Sequence, residues 1–332
     1  MKSPMPAAEA AFKALLRRAQ DLELAGGVAE AIAAYDACIA ANPGHAYPFT
    51  RRALLMFRAK FGPPPAPPAQ KPGAARLTMS VLGQKGRFGN QLLQYGFLRM
   101  YAAEHGLAAE APDWIGRDLF DLNDPARGAP LPAVREDEHD LVASLNRQVP
   151  DVWRDADLFG FCCYPTGALR RYRDLFRGLY RPGRKVAAIA ASAEAQLRAR
   201  GKTLVAVHLR RGDFGYGPYW LAPSAWYAQW LEGLWPTLEQ PVLYVATDDA
   251  DSARSLAAFK PVTAADLRLE VPGAEFYPDF HLLTQADALA ISNSSFSFAA
   301  AMLNARAKAF MRPDRGAQAL VAFDPWNAPV FL

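Results

Sequence analysis

Two kinds of apolar pattern alternate along the chain, and each predicts a different element. A short unbroken apolar run with β-branched members occurs at 204–207 within T-L-V-A-V-H-L-R-R-G-D, and further short apolar runs occur at 241–247 in P-V-L-Y-V-A-T, at 288–291 and at 309–311. Such runs suit parallel strands buried on both faces. A further strand is predicted in R-L-T-M-S-V-L-G, from Arg76 onward. Elsewhere the apolar residues recur at helical spacing. Ala31, Ile32, Tyr35, Cys38 and Ile39 form one stripe, preceded by a turn at Gly26-Gly27 and ended by Asn42-Pro43-Gly44. Leu93, Phe97, Met100 and Tyr101 place another stripe on one side of a helix that Asn90 would cap and Gly106 would stop. Helices are also predicted after Pro182-Gly183 up to Arg200, at 225–234 behind a Ser224 cap, at 279–287, and from Ser294 to Asn304.

This pattern divides the chain. Residues 1–62 read as an all-helical module. Residues 63–74, including P-P-P-A-P-P-A-Q-K-P, read as a stiff, extended linker. Residues 75–183 and 184–332 read as two α/β domains. The pattern is weakest over 111–182, where short apolar runs mix with Pro, Asp and Arg. There, 169–180 is predicted to be helical, with Arg170, Arg171, Arg173 and Arg177 on a solvated basic face.

Composition narrows the function classes. Half of the 332 residues are apolar and a fifth are charged, the balance of an ordinary globular chain. The net charge of +4 comes without a basic block, so a nucleic-acid-binding tail is not expected. Cys38, Cys162 and Cys163 match no metal-ligand spacing, and adjacent cysteines pair poorly, so a reducing compartment is expected. The first residues lack the apolar core of a signal peptide, and no apolar run approaches the ~18 residues of a membrane span. The expected location is the cytoplasm, in solution or peripheral at the inner face of the membrane.

Chemistry gathers at the ends of the predicted strands. His208, Arg210, Arg211 and Asp213 follow the 204–207 run directly, with His208 and Arg210 on one side of the strand by alternation. Ligands of open α/β sheets bind at the carboxyl ends of strands, so His-x-Arg-Arg-x-Asp reads as an anion site. The alternative is an ion-pair network closing a domain interface. Gly86 and Gly89 lie in Q-K-G-R-F-G, between a strand and a helix start. They permit a tight turn and close approach of a phosphate or sugar. Ser294 and Ser295, in S-N-S-S-F-S, open a helix whose hydroxyls and free N–H groups suit an anion. The aromatic stretch F-G-Y-G-P-Y-W after Asp213 reads as a loop over a cleft, or simply as packing. The Walker pattern is absent and no Gly-x-Gly-x-x-Gly follows a strand, which argues against ATPase and dinucleotide chemistry.

Four stretches occur in an order that resembles the α-1,2-fucosyltransferase family, glycosyltransferase family eleven. They are G-R-F-G-N-Q at 86–91, H-L-R-R-G-D at 208–213, A-T-D-D at 246–249 and D-F-H-L-L-T-Q-A-D-A-L-A-I-S-N-S-S-F-S at 279–297. The resemblance spans residues 77 to 332. It implies a GT-B-like fold of two Rossmann-like domains, GDP-fucose as donor, inversion at the anomeric carbon, and no metal or other cofactor. By position, Arg210 matches an arginine that binds the β-phosphate. His208 and Asp279 match groups near the guanine and ribose. Ser294, Ser295 and Phe296 match the segment around the diphosphate and nucleoside, and Arg87 and Asn90 match Gly-loop residues that face the sugar and leaving group. Asp213 is the nearest carboxylate for a general base, with holding Arg210 or Arg211 as its other role. Asp249 and Asp251 form an Asp-x-Asp pattern that holds a metal in some glycosyltransferases. Asp251, however, falls in a first helical turn, where a carboxylate favours the helix dipole.

The helical module, in G-G-V-A-E-A-I-A-A-Y-D-A-C-I-A-A-N-P-G-H-A, resembles a tetratricopeptide repeat. About one and a half repeats are present, and such stacks need about three units to stand alone. The module should therefore lean on the main body, a second copy or a partner protein. The last motif continues Phe298-Ala299-Ala300-Ala301-Met302, where the α-1,2 family often has tryptophans. That departure leaves two other readings open: a transferase for another GDP-sugar such as GDP-mannose, acting on a glycan or glycoprotein, or an inactive transferase-like scaffold.

Overall fold

The computed structural model describes residues 6–70, 72–217 and 219–332. Residues 1–5 of the helical module, Lys71 of the Pro-rich segment and Pro218 of the aromatic stretch lie outside the described residues. The chain starts with three helices, α1 (Pro6–Leu24), α2 (Val28–Ala41) and α3 (Ala46–Phe61). The turn before α2 holds Gly26 at φ +80°, in the left-handed region. Ala31, Tyr35 and Cys38 are the buried stripe of α2, and Phe12, Ala19, Tyr47 and Leu55 pack around it. Leu54 and Phe57, on α3, belong instead to the core of the main body. The module thus leans on the rest of the chain. Arg58 of α3 reaches Asp118 at 2.8 Å and Asp113 at 2.7 Å, and the Asp118 side chain is fully buried.

A first sheet follows. Its elements are β1 (Arg76–Thr78), α4 (Phe88–His105), β2 (Ala108–Glu110), α5 (Ile115–Leu119), β3 (Ala133–Arg135), α6 (Leu141–Leu145) and β4 (Ala156–Phe159). The strand order is β2-β1-β4-β3, all parallel. The strand predicted from Arg76 is therefore only three residues long, and the chain turns at once toward the glycine loop. Helix α4 is buried on nearly all sides, not on the single face its apolar spacing predicts. Tyr95 and the amides Gln91 and Gln94 lie inside with the apolar stripe, because α4 is packed against both halves of the molecule. Gly106 ends it in the left-handed conformation, as its sequence predicts.

The weakly patterned stretch closes with a 3₁₀ turn at Thr166–Tyr172 and α7 (Arg173–Leu179). Arg170, Arg171 and Arg173 are exposed, as expected of a solvated face, whereas Arg177 is half-buried and leaves it. Arg177 donates to the carbonyls of Met302 and Asn304, and Arg171 to that of Leu145. Then come α8 (Arg184–Arg198), β5 (Thr203–Leu209), α9 (Ser224–Leu234), β6 (Pro241–Thr247), α10 (Ala250–Arg254), α11 (Ala264–Leu267), α12 (Tyr277–Gln285), β7 (Ala288–Ala290), α13 (Ser295–Leu303), β8 (Ala309–Asp314) and β9 (Ala319–Ala322). The second sheet runs β6-β5-β7-β8-β9, parallel except for β9. Past Thr203 every residue of β5 is buried, as its apolar run predicts. Ser224 begins α9 without capping it, since its hydroxyl accepts from Arg211 instead.

Strand order locates the crevices. From β5 the chain goes to β6 on one side and later to β7 on the other, so connectivity reverses at β5. In the first sheet it reverses in the same way at β1, between β2 and β4. Such switch points open a crevice beyond the carboxyl ends of the strands, where ligands of α/β sheets bind.

Candidate functional site

The loops leaving the two switch points meet. In the first sheet, the loop after β1 carries Gly86 and Arg87 into α4. Gly86 has φ +74°, and a Cβ there would lie 2.6 Å from that of Asn90. Gln91 braces this turn by donating to the Gly86 carbonyl at 3.2 Å. Arg87 is the N-cap residue of α4, so Asn90 sits in the first turn rather than capping it. The side-chain oxygen of Asn90 lies 4.0 Å from the Cys163 sulfur, which comes from the loop after β4. Burial pushes the Cys163 thiol up to about 12, with Glu136 adding to the effect, so it remains a protonated thiol.

Gly89 makes its close approach to protein rather than to a ligand. A Cβ on it would fall 2.6 Å from the Phe296 Cα and 2.6 Å from the Ser295 carbonyl carbon. The first turn of α4 therefore lies backbone to backbone against the first turn of α13. This fixes the glycine loop beside the serine turn of the other sheet. Ser294 caps α13, its hydroxyl accepting from the Phe296 amide at 3.3 Å. Ser295, half-buried, has no side-chain hydrogen bond among the described residues. The Phe296 ring packs with Phe280 and with His208.

The residues after β5 and β6 are adjacent because Leu209 pairs with Thr247. Arg210 donates to Asp213 at 2.6 Å and to Asp248 at 2.8 Å. Asp213 also faces Arg87, at 3.4 Å. Arg87, Asp213, Arg210 and Asp248 thus alternate in charge across the junction of the two sheets. The Arg87 and Asp213 side chains are nearly half exposed, at 45% and 46%, while Arg210 is 21% exposed. Arg211 turns away, donating to the Ala222 carbonyl and to Ser224 and Ser252. The ion-pair alternative therefore describes part of the motif: Arg211 is structural, and Asp213 and Asp248 hold Arg210.

His208 is buried, with its Nδ1 2.8 Å from the Ser292 hydroxyl. Burial drives its pKa down to about 3, and the nearby Arg210 and Arg211 push the same way, so the ring is neutral near pH 7. Its visible task is to join the end of β5 to the serine turn. Asp279 lies in the first turn of α12, where the Tyr244 hydroxyl donates to its carboxylate. Burial raises its pKa to about 7 against the opposing Tyr244 bond, and Asp248 adds to the rise.

Asp248 and Ser292 lie in stretches that the sequence singles out, A-T-D-D and S-N-S-S-F-S, but without a role of their own, and Tyr244 is absent from the predicted site. Asp248 had a signal, because it follows a strand that pairs in register with β5. Tyr244 had none, since its partner lies on a distant helix. Asp249 and Asp251 do not converge as an Asp-x-Asp pair: Asp249 caps α10, while Asp251 pairs with Arg254. Among the described residues, no group of three or more His, Cys, Asp or Glu side chains is placed to hold a metal. No helix among them is long and apolar enough to cross a membrane. The aromatic stretch places Phe214 with its ring 5.5 Å from the Arg210 guanidinium carbon, while Tyr216 is exposed.

Two mostly parallel sheets with facing switch points, bridged by alternating arginines and carboxylates, make this an α/β protein. No protein-family profile matches the sequence, and no curated protein matches it significantly. Solved structures do. The fucosyltransferase NodZ from Bradyrhizobium superposes with a TM-score of 0.51 at 14% identity, over 76% of this chain and 99% of that one. An Arabidopsis thaliana FUT1 mutant in complex with GDP superposes with a TM-score of 0.52 at 13% identity, over 74% of this chain and 72% of that one. At such identity the likeness is one of fold, and the fold is the GT-B-like α/β fold of these fucosyltransferases.

Proposed function

We propose that the protein is an inverting, metal-independent glycosyltransferase. It would move L-fucose from GDP-fucose to a hydroxyl of a glycan, α-1,2 to galactose, or of a glycoprotein. The observation that carries this reading is the Arg87–Asp213–Arg210 bridge between the two switch-point crevices. It lies on a fold shared with NodZ and with a FUT1 solved with GDP.

The acceptor oxygen attacks the anomeric carbon as the bond from that carbon to the β-phosphate oxygen breaks. The electron pair leaves on the phosphate, and the acceptor proton passes to a base or to water. Charge therefore builds on the β-phosphate, where a metal or fixed cations must meet it. Arg210 offers a planar, permanently charged fork for the phosphate oxygens, and its two carboxylate partners hold it at the strand end. Arg87 faces it from the other sheet, with Asn90 toward the sugar. Ser295 and the start of α13 take the diphosphate, with Phe296, His208 and Asp279 on the nucleoside side. Charge-assisted hydrogen bonds of about 1.5–3 kcal/mol each, gained mainly in the transition state, supply several powers of ten in rate. Asp213 is the candidate base for the acceptor proton. Helices α1–α3 are read as a tetratricopeptide-like module that also offers a surface to a protein partner, in a cytoplasmic or membrane-peripheral enzyme.

Incubation with GDP-fucose and EDTA, with GDP release as the readout, tests this reading. Release that persists without divalent metal is expected, and strict dependence on Mg²⁺ or Mn²⁺ overturns the metal-free mechanism. Faster release from GDP-mannose would reassign the donor. No turnover, together with no thermal shift from GDP or either GDP-sugar, would reduce the protein to a scaffold.

A further inference from the structure

The helical module reaches the glycine loop. Phe49 lies in the first turn of α3, and its ring centroid is 4.5 Å from the Arg87 guanidinium carbon. The next residue, Thr50, donates its hydroxyl to the Gly83 carbonyl at 2.6 Å, within the same loop between β1 and α4. Arg87 has two directed side-chain interactions among the described residues: this ring and the Asp213 carboxylate. A guanidinium nearly half exposed would otherwise sample many rotamers, and side-chain disorder of that kind must be lost again in each transition state.

The ring is held by a rigid element. Leu54 and Phe57 anchor α3 in the main core, and the α3 backbone passes so close to Gly273 that a Cβ there would meet the Phe57 amide at 2.6 Å. A side chain on this helix can therefore set the direction of one in the cleft.

We propose that α3 forms one wall of the donor cleft. Phe49 acts as a positioning residue, its ring face directing the Arg87 guanidinium toward the leaving diphosphate. This rests on the transferase reading above. It makes the module a part of the reaction site and not only an attachment for partners.

The test compares Phe49→Leu, which keeps bulk but lacks a ring, with Phe49→Tyr, which keeps the ring. Each is measured for kcat, for KM toward GDP-fucose, and for thermal stability. A cation–π contact of this kind corresponds to roughly a 2- to 30-fold effect. Phe49→Leu should lower kcat within that range, with KM changed less than about twofold, and Phe49→Tyr should restore most of it. In an Arg87→Ala background, Phe49→Leu should have little further effect, because the group it directs is gone.

Wild-type turnover with a Phe49→Leu variant of equal kcat overturns the inference. So do additive losses in the double variant, or a Phe49→Tyr variant as slow as Phe49→Leu. A wild-type protein that releases no GDP from GDP-fucose overturns the transferase reading and this inference with it, and is distinguished by that first measurement.

Discussion

Gly89 and Phe296 touch backbone to backbone, and a single methyl group at Gly89 would drive the first turns of α4 and α13 apart. This contact joins the two sheets beside the cationic pair. Gly89→Ala should destabilise the protein by about 1–3 kcal/mol, the range for overpacking a tight contact. Thermal unfolding with and without GDP checks it, and GDP should stabilise the variant less than the wild type.

Arg210 is placed by two carboxylates and by strand β5, not by burial in the core. Arg210→Ala should lower kcat by about 10²–10³-fold, the scale for removing one donor to developing charge. Stability should change by less than about 1 kcal/mol, since Asp213 and Asp248 remain open to water. Arg210→Lys keeps the charge without the fork and should fall between. Steady-state rates and denaturant melts on the three proteins check the order.

Asp279 and His208 pull stability in opposite directions with pH. The folded-state pKa of Asp279 is raised to about 7, so the folded state binds more protons than the unfolded chain between its ordinary value and 7. Its contribution is complete at low pH and is lost as pH rises through that window. Asp279→Asn should therefore gain stability relative to wild type as pH rises from about 4 to about 7. His208 is depressed to about 3, so its contribution is present above its ordinary pKa and is lost as pH falls from about 6.5 toward 3. His208→Asn should remove that acid-side loss. Melting temperatures of both variants across pH 4–8 separate the two effects.

Arg58 ties α3 to α5 through Asp118, whose side chain is fully buried and whose other cation is Lys185, at 2.7 Å. Arg58→Ala leaves that carboxylate half-compensated and should cost about 1–3 kcal/mol. Chemical denaturation followed by tryptophan fluorescence measures it. A variant as stable as wild type would mean that Lys185 alone satisfies the carboxylate.

The sequence exposes the second sheet far better than the first. Strands β5 and β6 are seven residues long and apolar almost throughout, so burial on both faces is written in them. Strands β1 to β3 have three residues each, too few to show a period, and they are strands only because their neighbours complete the ladder. Helix α4 misleads in another way: its polar Gln91 and Gln94 read as an exposed face, but both amides donate to backbone carbonyls inside the protein. At the site, the strand-end positions of His208, Arg210 and Ser294 are visible from alternation and capping chemistry. The Asp213–Arg87 bridge and the Phe49–Arg87 contact are not, because each joins segments whose meeting depends on how whole layers stack.

The last residues of the chain span both halves: Arg312 of β8 donates to the Pro329 carbonyl, while the same segment reaches across to the first half. Trp326 donates to Met302 and stands edge-on to Phe176 of α7, while Ala328 exchanges hydrogen bonds with Thr166. The tail is a strap sewn back across the first half, so a cut between residues 183 and 184 would not yield two autonomous fragments. Each would carry an uncovered seam. Heating should melt the two sheets in one calorimetric peak, and complementation by separately expressed halves should succeed only when both are present while they fold.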